Sequence, residues 1–220
     1  MKTAPEIKAV LVSDQVYDVL ANKIFSGELS ANSPLRIRDI AEEMGTSAMP
    51  VREAIGRLVK NGLAVSMPNR GARVREFTTK ELIDIYDVRA LLEVEAARAA
   101  SPRITEGDLQ TMKNACDRMY RAVVQNRVHD ALDEDEVLLR TLYRASGNPV
   151  LLDHIELLWT QCRAYKVIGA QVAIQNHDDS LWSFQPRLIE AAEAGDTELA
   201  VRVTQESVAA ARRRLENETT

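Results

Sequence analysis

The chain has 220 residues, 45% hydrophobic and 28% charged, which suits an ordinary folded protein with room for one large domain or two modest ones. No apolar run approaches the roughly 18 residues of a membrane helix and no signal peptide opens the chain, so the reading is no membrane and a cytoplasmic location. Cys116 and Cys162 are too few and too far apart for a disulfide framework or a paired-cysteine zinc site, and a reducing compartment fits them.

In chain order, residues 1–12 read as a poorly fixed tail. Ser13 is placed to cap a first helix reaching about Ser26, with Val16, Val19, Leu20 and Ile24 facing inward. Gly27 to Pro34 is turn-rich. Ile37, Ile40, Ala41 and Met44 give a second helix its inner face, and Gly45 ends it. A third helix begins after Ser47. Val51, Ala54, Ile55, Leu58 and Val59 share one of its faces at helical spacing, and Met49, Arg52, Glu53 and Gly56 share the other. Asn61-Gly62 stops it, and a small two-stranded wing follows, turning on Pro68-Asn69-Arg70-Gly71. Helix, tight turn, exposed helix and basic hairpin together make a winged helix-turn-helix over residues 1–77. Its third helix has the size that enters a DNA major groove.

The net charge of −5 argues at first against nucleic acid, but it is divided unevenly. Residues 1–77 carry 11 Lys/Arg against 9 Asp/Glu, and residues 78–220 carry 17 against 24. The small basic excess is clustered: Arg70, Arg73 and Arg75 crowd the wing, and Arg36, Arg38, Arg52 and Arg57 sit in the helix pair. That arrangement suits a DNA-reading domain joined to a different module.

From about Asp14 to Val74 the sequence resembles the GntR family of bacterial transcription regulators, whose recognition helix reads roughly SRTPVREALRRLEAEGL before a wing with a PNRG-like tip. Here the helix reads SAMPVREAIGRLVKNGL, and the tip is PNRG. Where the family usually has Arg after the N-cap serine, this chain has Ala48, which cannot make a bidentate bond to guanine. The resemblance implies contacts to double-stranded DNA by Arg36, Arg38, Ser47, Ala48, Met49 and Arg52 from the helices, and by Asn69, Arg70, Gly71 and Arg73 from the wing. One recognition helix reads only a few base pairs, so a homodimer on an inverted-repeat operator is expected.

After residue 76 no strand-like alternation appears. Thr78 with Glu81 forms a capping-box pattern opening a helix to about Ala100, broken by Ser101-Pro102. Further helices are expected at about 105–127, 130–146, 149–173, 183–194 and 196–217. Ser146-Gly147-Asn148-Pro149 marks one stop and restart, and Gly195-Asp196 marks another with Asp196 as N-cap. The fold class is therefore mainly α: the winged domain, then an all-α bundle over 78–220. Leu109, Met112, Cys116, Met119 and Val123 read as a core stripe, the acidic run Asp133–Glu136 as a solvated helix face, and Arg212-Arg213-Arg214 as complementing a helix C-terminus.

This rear half resembles the FCD domain, the effector-binding bundle of the FadR branch of the GntR family, in its smaller VanR-type form. The resemblance rests on Arg89 and Glu93 in RALLEVEAARAA, on Asp135 with ASGN at 145–148, and on AAEAGDTELA at 191–200. Family members hold a metal through one Asp and three His, the first two often as DxxFH. Here Asp135 remains, Leu138 and Leu139 replace the Phe and the His, and Gln185 and Ser207 fall at the other two positions. One ligand in four survives, and His129, His154 and His177 have no metal-ligand spacing. No metal and no other cofactor is expected. The resemblance implies instead a pocket for a small organic acid or acyl effector at Arg89, Asp135, Leu139, Gln185 and Ser207. Arg89 has two readings, a clamp for an effector carboxylate or an ion pair with Glu93 or Asp135.

No nucleophile elbow, phosphate loop or acid–base pair supports an enzyme. The function implied is a ligand-responsive DNA-binding regulator, a repressor of a metabolic operon. The alternative is a winged-helix DNA-binding protein whose rear domain only dimerises and has lost its effector. A metal-dependent enzyme on a helical bundle is the reading that the missing ligands oppose.

Overall fold

A computed structural model describes residues 11–67 and 71–217. The expected tail as far as Val10, and Pro68, Asn69 and Arg70 at the wing tip, lie outside the described residues. The chain forms two compact units that divide between Glu76 and Phe77, one residue before the boundary expected from sequence. Phe77 goes with the second unit because its ring meets Tyr165 edge-on at 6.2 Å and its carbonyl accepts a hydrogen bond from the Tyr165 hydroxyl at 3.2 Å.

The first unit runs α1 (Val12–Phe25), β1 (Pro34–Leu35), α2 (Ile37–Glu43), α3 (Ala48–Lys60), β2 (Ala64–Met67) and β3 (Gly71–Val74). Leu11, not Ser13, stands at the N-cap of α1, and Ser13 is buried within the first turn. Val16, Leu20 and Ile24 recur every four residues and enter the core, whereas Val19 lies off that stripe and is exposed. They pack with Leu35, Ile40, Val51, Ile55 and Leu58 beneath α2 and α3. Gly45, at φ +61°, turns the chain between those two helices.

The wing is a three-stranded antiparallel sheet in the order β1-β3-β2, rather than the two-stranded hairpin expected. The third strand comes from the turn-rich segment. Leu35 pairs with Ala72, and backbone bonds join Val74 to Ser33 and Asn32. A two-residue strand is too short to show any alternation in sequence. Gly71 is required at its place, because its φ is +84° and a Cβ there would stand 3.1 Å from the Leu35 carbonyl oxygen.

The second unit holds six helices among the described residues: α4 (Thr79–Ala100), α5 (Glu106–Val124), α6 (Val128–Arg144), α7 (Pro149–Gln175), α8 (Phe184–Ala194) and α9 (Thr197–Asn217). Short 3-10 turns follow at Ser101–Arg103 and Asp179–Trp182. The expected capping box at Thr78 and Glu81 forms, and Thr105 with Asp108 makes a second. Asn148 caps α7 with Pro149 in its first turn, and Asp196 accepts from the Leu199 amide at 2.9 Å. Helix α4 packs along α9 and α7, and α6 lies against α5 and α7. Between them Met112, Met119, Leu138, Tyr143, Ile155, Trp159, Trp182 and Leu188 form the main core, which also buries Cys116.

Candidate functional site

The first unit turns two arginine-bearing surfaces outward. Arg36 is the residue before α2, and its side chain is mostly exposed, with Asp39 at 3.6 Å. Arg38 is exposed in the first turn of the same helix. On α3, Ser47 is the N-cap residue but its hydroxyl makes no capping bond. Ala48, Met49 and Arg52 are exposed on the face opposite the buried Val51, Ala54, Ile55 and Leu58. One helix thus holds the core with one side and offers the other to a partner. Arg57 belongs elsewhere: it is ion-paired to Asp14, and its guanidinium lies 4.3 Å from the Tyr17 ring centroid, which docks α3 on α1. In the wing, Gly71 and Arg73 are exposed, and Arg73 donates to the Asn32 side chain. Asn69 and Arg70, the other wing candidates, fall outside the described residues.

The second unit contains a partly open cavity of about 80 Å3. The five positions singled out in the sequence, Arg89, Asp135, Leu139, Gln185 and Ser207, all line it. They arrive from α4, α6, α8 and α9, so the helix packing brings together residues up to 118 positions apart in the chain.

Arg89 and Glu93 stand one turn apart on α4 and are both buried. Arg89 Nε donates to Glu93 Oε1 at 2.8 Å, Nη1 donates to Cys162 Sγ at 3.6 Å, and the guanidinium lies 4.4 Å from the Tyr86 ring centroid. Glu93 also accepts from Trp159 Nε1 at 2.8 Å and from the Tyr143 hydroxyl at 3.1 Å. Burial opposes the charge of Arg89, yet Glu93 beside it holds the guanidinium above its ordinary value. Desolvation, then the Glu93 charge, push the Tyr143 phenol up. Of the two readings of Arg89, the ion pair with Glu93 is the arrangement present. Asp135 takes a different cation, Lys166, at 3.6 Å.

The acidic run on α6 is not the solvated face expected. Asp133 and Glu136 both receive the buried guanidinium of Arg163, each at 2.6 Å. Glu134 is paired with Arg118, and Asp135 is buried with one oxygen accepting from Gln185 Nε2 at 2.6 Å. Burial would raise the Glu136 carboxyl, but Lys166 and Arg163 outweigh it and hold that carboxyl below the usual range. Four consecutive residues necessarily visit more than one side of a helix, and here two of those sides are covered by other helices.

The donor set does not fit the metal that the FCD resemblance brings to mind. Both Asp135 oxygens already face protein donors, Gln185 and Lys166, and Leu139 offers no ligand atom. Among the described residues no group of three or more His, Cys, Asp or Glu side chains is arranged to hold an ion. His154 Nδ1 lies 2.8 Å from the Val150 carbonyl, and His177 is exposed at φ +53°.

Residues 12–74 match the family model for bacterial regulatory proteins of the gntR family, and residues 84–210 match the FCD domain, more than half of the chain. The chain belongs to the GntR family. As a GntR protein with an FCD domain it falls in the FadR-like branch, and it is a DNA-binding transcription regulator. A probable D-xylose utilization operon transcriptional repressor of Paenarthrobacter nicotinovorans is 31% identical over 94% of this chain and 90% of its own. The HTH-type transcriptional regulator McbR of Escherichia coli K12 is 29% identical over 71% of each. Two solved structures share the fold. That of E. coli McbR/YncC has a TM-score of 0.83 at 22% identity over 96% of this chain and all of its own. A putative GntR regulator from Rhodococcus sp. RHA1 has 0.78 at 19% over 93% and 97%. These relatives are regulators rather than enzymes.

The cavity also holds residues that no sequence signal marks. Tyr86, Lys166, Trp182 and Arg214 line the same cavity and were not singled out. They come from four separate elements and share no motif, so only the packing unites them. Arg214 lies in the arginine run read as a helix terminus. Of that run, Arg212 does serve structure, bonding Asp87 on α4 at 2.8 Å and Glu216 at 2.5 Å.

Proposed function

We propose that this GntR regulator is a cytoplasmic homodimer that represses a metabolic operon, and that a small organic acid in the cavity of its FCD domain changes its hold on an inverted-repeat operator. The observation that carries the effector part is the convergence of Arg89, Asp135, Leu139, Gln185 and Ser207 on one cavity. A domain that only dimerises has no need of such a space, and its lining of apolar side chains interspersed with charged and polar ones suits a small polar molecule. The exposed face of α3, with Arg52 and Met49 outward, supports the groove assignment. Repression follows the names of the relatives, one of which is called a repressor of a D-xylose utilization operon.

An effector alters DNA binding only through a difference in its affinity for the DNA-competent and DNA-incompetent states. A tenfold change in operator affinity requires about 1.4 kcal/mol of such preference. The test is operator affinity at fixed salt with added small organic acids and sugars, for wild type and for a Ser207→Trp variant that fills the cavity. The expected result is a tenfold or larger change with one compound in wild type and none in the variant. No response to any compound would leave a rear domain that only dimerises.

A further inference from the structure

The leading end of α3 is poor in polar atoms. In a helix-turn-helix the first residues of the second helix are the ones that meet base edges. Here α3 opens with Ala48, Met49 and Pro50, and Arg52 follows one turn after Ala48. Ala48, Met49 and Arg52 are exposed, and of these three Arg52 alone carries a strong hydrogen-bonding group. Glu53 is exposed beside Arg52. One turn beyond Arg52 stands Gly56, also exposed, which has no side chain to read with. The opening turn of the helix therefore brings two side chains to the groove that cannot answer the donors and acceptors of a base.

Met49 also differs from the other methionines among the described residues. Met112 and Met119 are fully buried and Met44 and Met67 partly so, whereas Met49 is 62% exposed. It is not needed to hold the helix, because Val51, Ala54, Ile55 and Leu58 supply the packing on the opposite side. A single exposed apolar side chain is ordinary on a protein surface. This one stands three residues before Arg52, so the two are neighbours on one helix face and enter a groove together. An apolar side chain set against the polar edge of guanine, adenine or cytosine takes water from donors and acceptors and returns nothing, which costs free energy. Thymine alone among the four bases presents an apolar group in the major groove, its C5-methyl.

We propose that Met49, with Ala48 beside it, reads the C5-methyl of a thymine in each operator half-site, next to the base that Arg52 contacts. This rests on the reading of α3 as the helix that enters the major groove. The two side chains divide the work. Ala48 is short and keeps the helix start close to the bases. Met49 is unbranched and flexible, so it reaches a methyl group to one side and moulds to it. Arg52 adds a hydrogen-bonded contact of a different kind. The half-site is then defined by one polar and one apolar contact, and the apolar one rejects any base that lacks the methyl.

The experiment uses DNA duplexes that the full-length protein selects from a random pool, and copies in which each thymine in turn is replaced by uracil. That exchange removes the methyl and leaves the hydrogen-bonding edge intact. Affinities are measured at one salt concentration. At a thymine in each half-site, uracil is expected to weaken wild-type binding about three- to fivefold, the worth of one buried methyl group. Met49→Ala should bind the parent duplex more weakly by a similar factor, lose its sensitivity to that uracil, and keep the melting temperature of wild type. Met49→Leu should retain most of the sensitivity, and Met49→Gln should lose it. Wild-type binding indifferent to every uracil, or a Met49→Ala variant as sensitive as wild type, would overturn the proposal. So would a methyl effect confined to duplexes with 5-methylcytosine in place of cytosine. If Arg52→Ala weakens operator binding while no uracil matters, the methyl contact falls and the groove assignment stands. If neither change matters, both fall together.

Discussion

At the scale of single residues, the two units use arginine in opposite ways. Arg52 is exposed on the outer face of α3, and among the described residues it has no ion pair, so its charge and its two-pronged donor geometry remain open to a base edge. Replacing it by Ala should cost about 1–3 kcal/mol of specific operator binding with little loss of stability. The measurement is a titration of operator and scrambled DNA at one salt concentration, and equal affinities for mutant and wild type would remove Arg52 from the groove. Arg89 is the reverse case. Its partner Glu93 is buried and accepts from Arg89, Trp159 and Tyr143. Glu93→Ala would strand a buried cation, and such breaks are worth about 3–5 kcal/mol. A large fall in the urea midpoint is therefore expected, and Arg89→Ala should behave similarly. Loss of effector response in an Arg89 variant thus has to be weighed against its stability.

At the scale of elements, α6 and α7 are joined by charge as well as by apolar packing. Arg163 and Lys166 on α7 meet Glu136 on α6, and those cations hold its carboxyl below the ordinary 4.5 in spite of burial. A carboxyl lowered in the folded state contributes its stability fully above 4.5, and that contribution is lost as pH falls through the lowered value. The melting temperature of wild type should therefore exceed that of Glu136→Gln at neutral pH, with the gap narrowing as the solution is acidified below about 4.5. A gap independent of pH would mean that the pairing is not what the substitution removes. Most elements were legible because their signals are local. Thr78 and Glu81 lie within one turn, Asn148-Pro149 and Gly195-Asp196 are adjacent pairs, and the inner face of α3 repeats at helical spacing. Strand β1 was not legible, because two residues carry no period and its partner Ala72 is far along the chain. The acidic run departs from its sequence expectation for a related reason. Whether a helix face meets water depends on what packs over it, and Arg163 and Gln185 are remote in sequence. In the cavity, resemblance supplied five lining positions, while Lys166, Trp182 and Arg214 are defined only by the three-dimensional arrangement.

At the scale of the whole molecule, a regulator of this kind must combine a short reading element with adequate specificity. Helix α3 is 13 residues long, about 20 Å, and only its exposed side near Met49 and Arg52 can meet base edges. That contact covers a few base pairs, and with each mismatch worth roughly 1–3 kcal/mol a single half-site cannot be told apart from the many alternatives in a genome. The basic excess of the first unit is also small, 11 Lys/Arg against 9 Asp/Glu over residues 1–77. Nonspecific attraction to phosphate is correspondingly weak, and two recognition helices acting together must supply what one cannot. We therefore expect a homodimer at micromolar concentration that protects two inverted half-sites about one helical turn apart. Light scattering gives the mass of the free protein and of its complex, and footprinting gives the spacing. Halving the operator should weaken binding far more than twofold, because the second contact is made at high effective concentration. A monomer both free and on DNA, or equal affinity for one half-site and two, would refute the dimeric reading and leave α3 alone to explain the specificity.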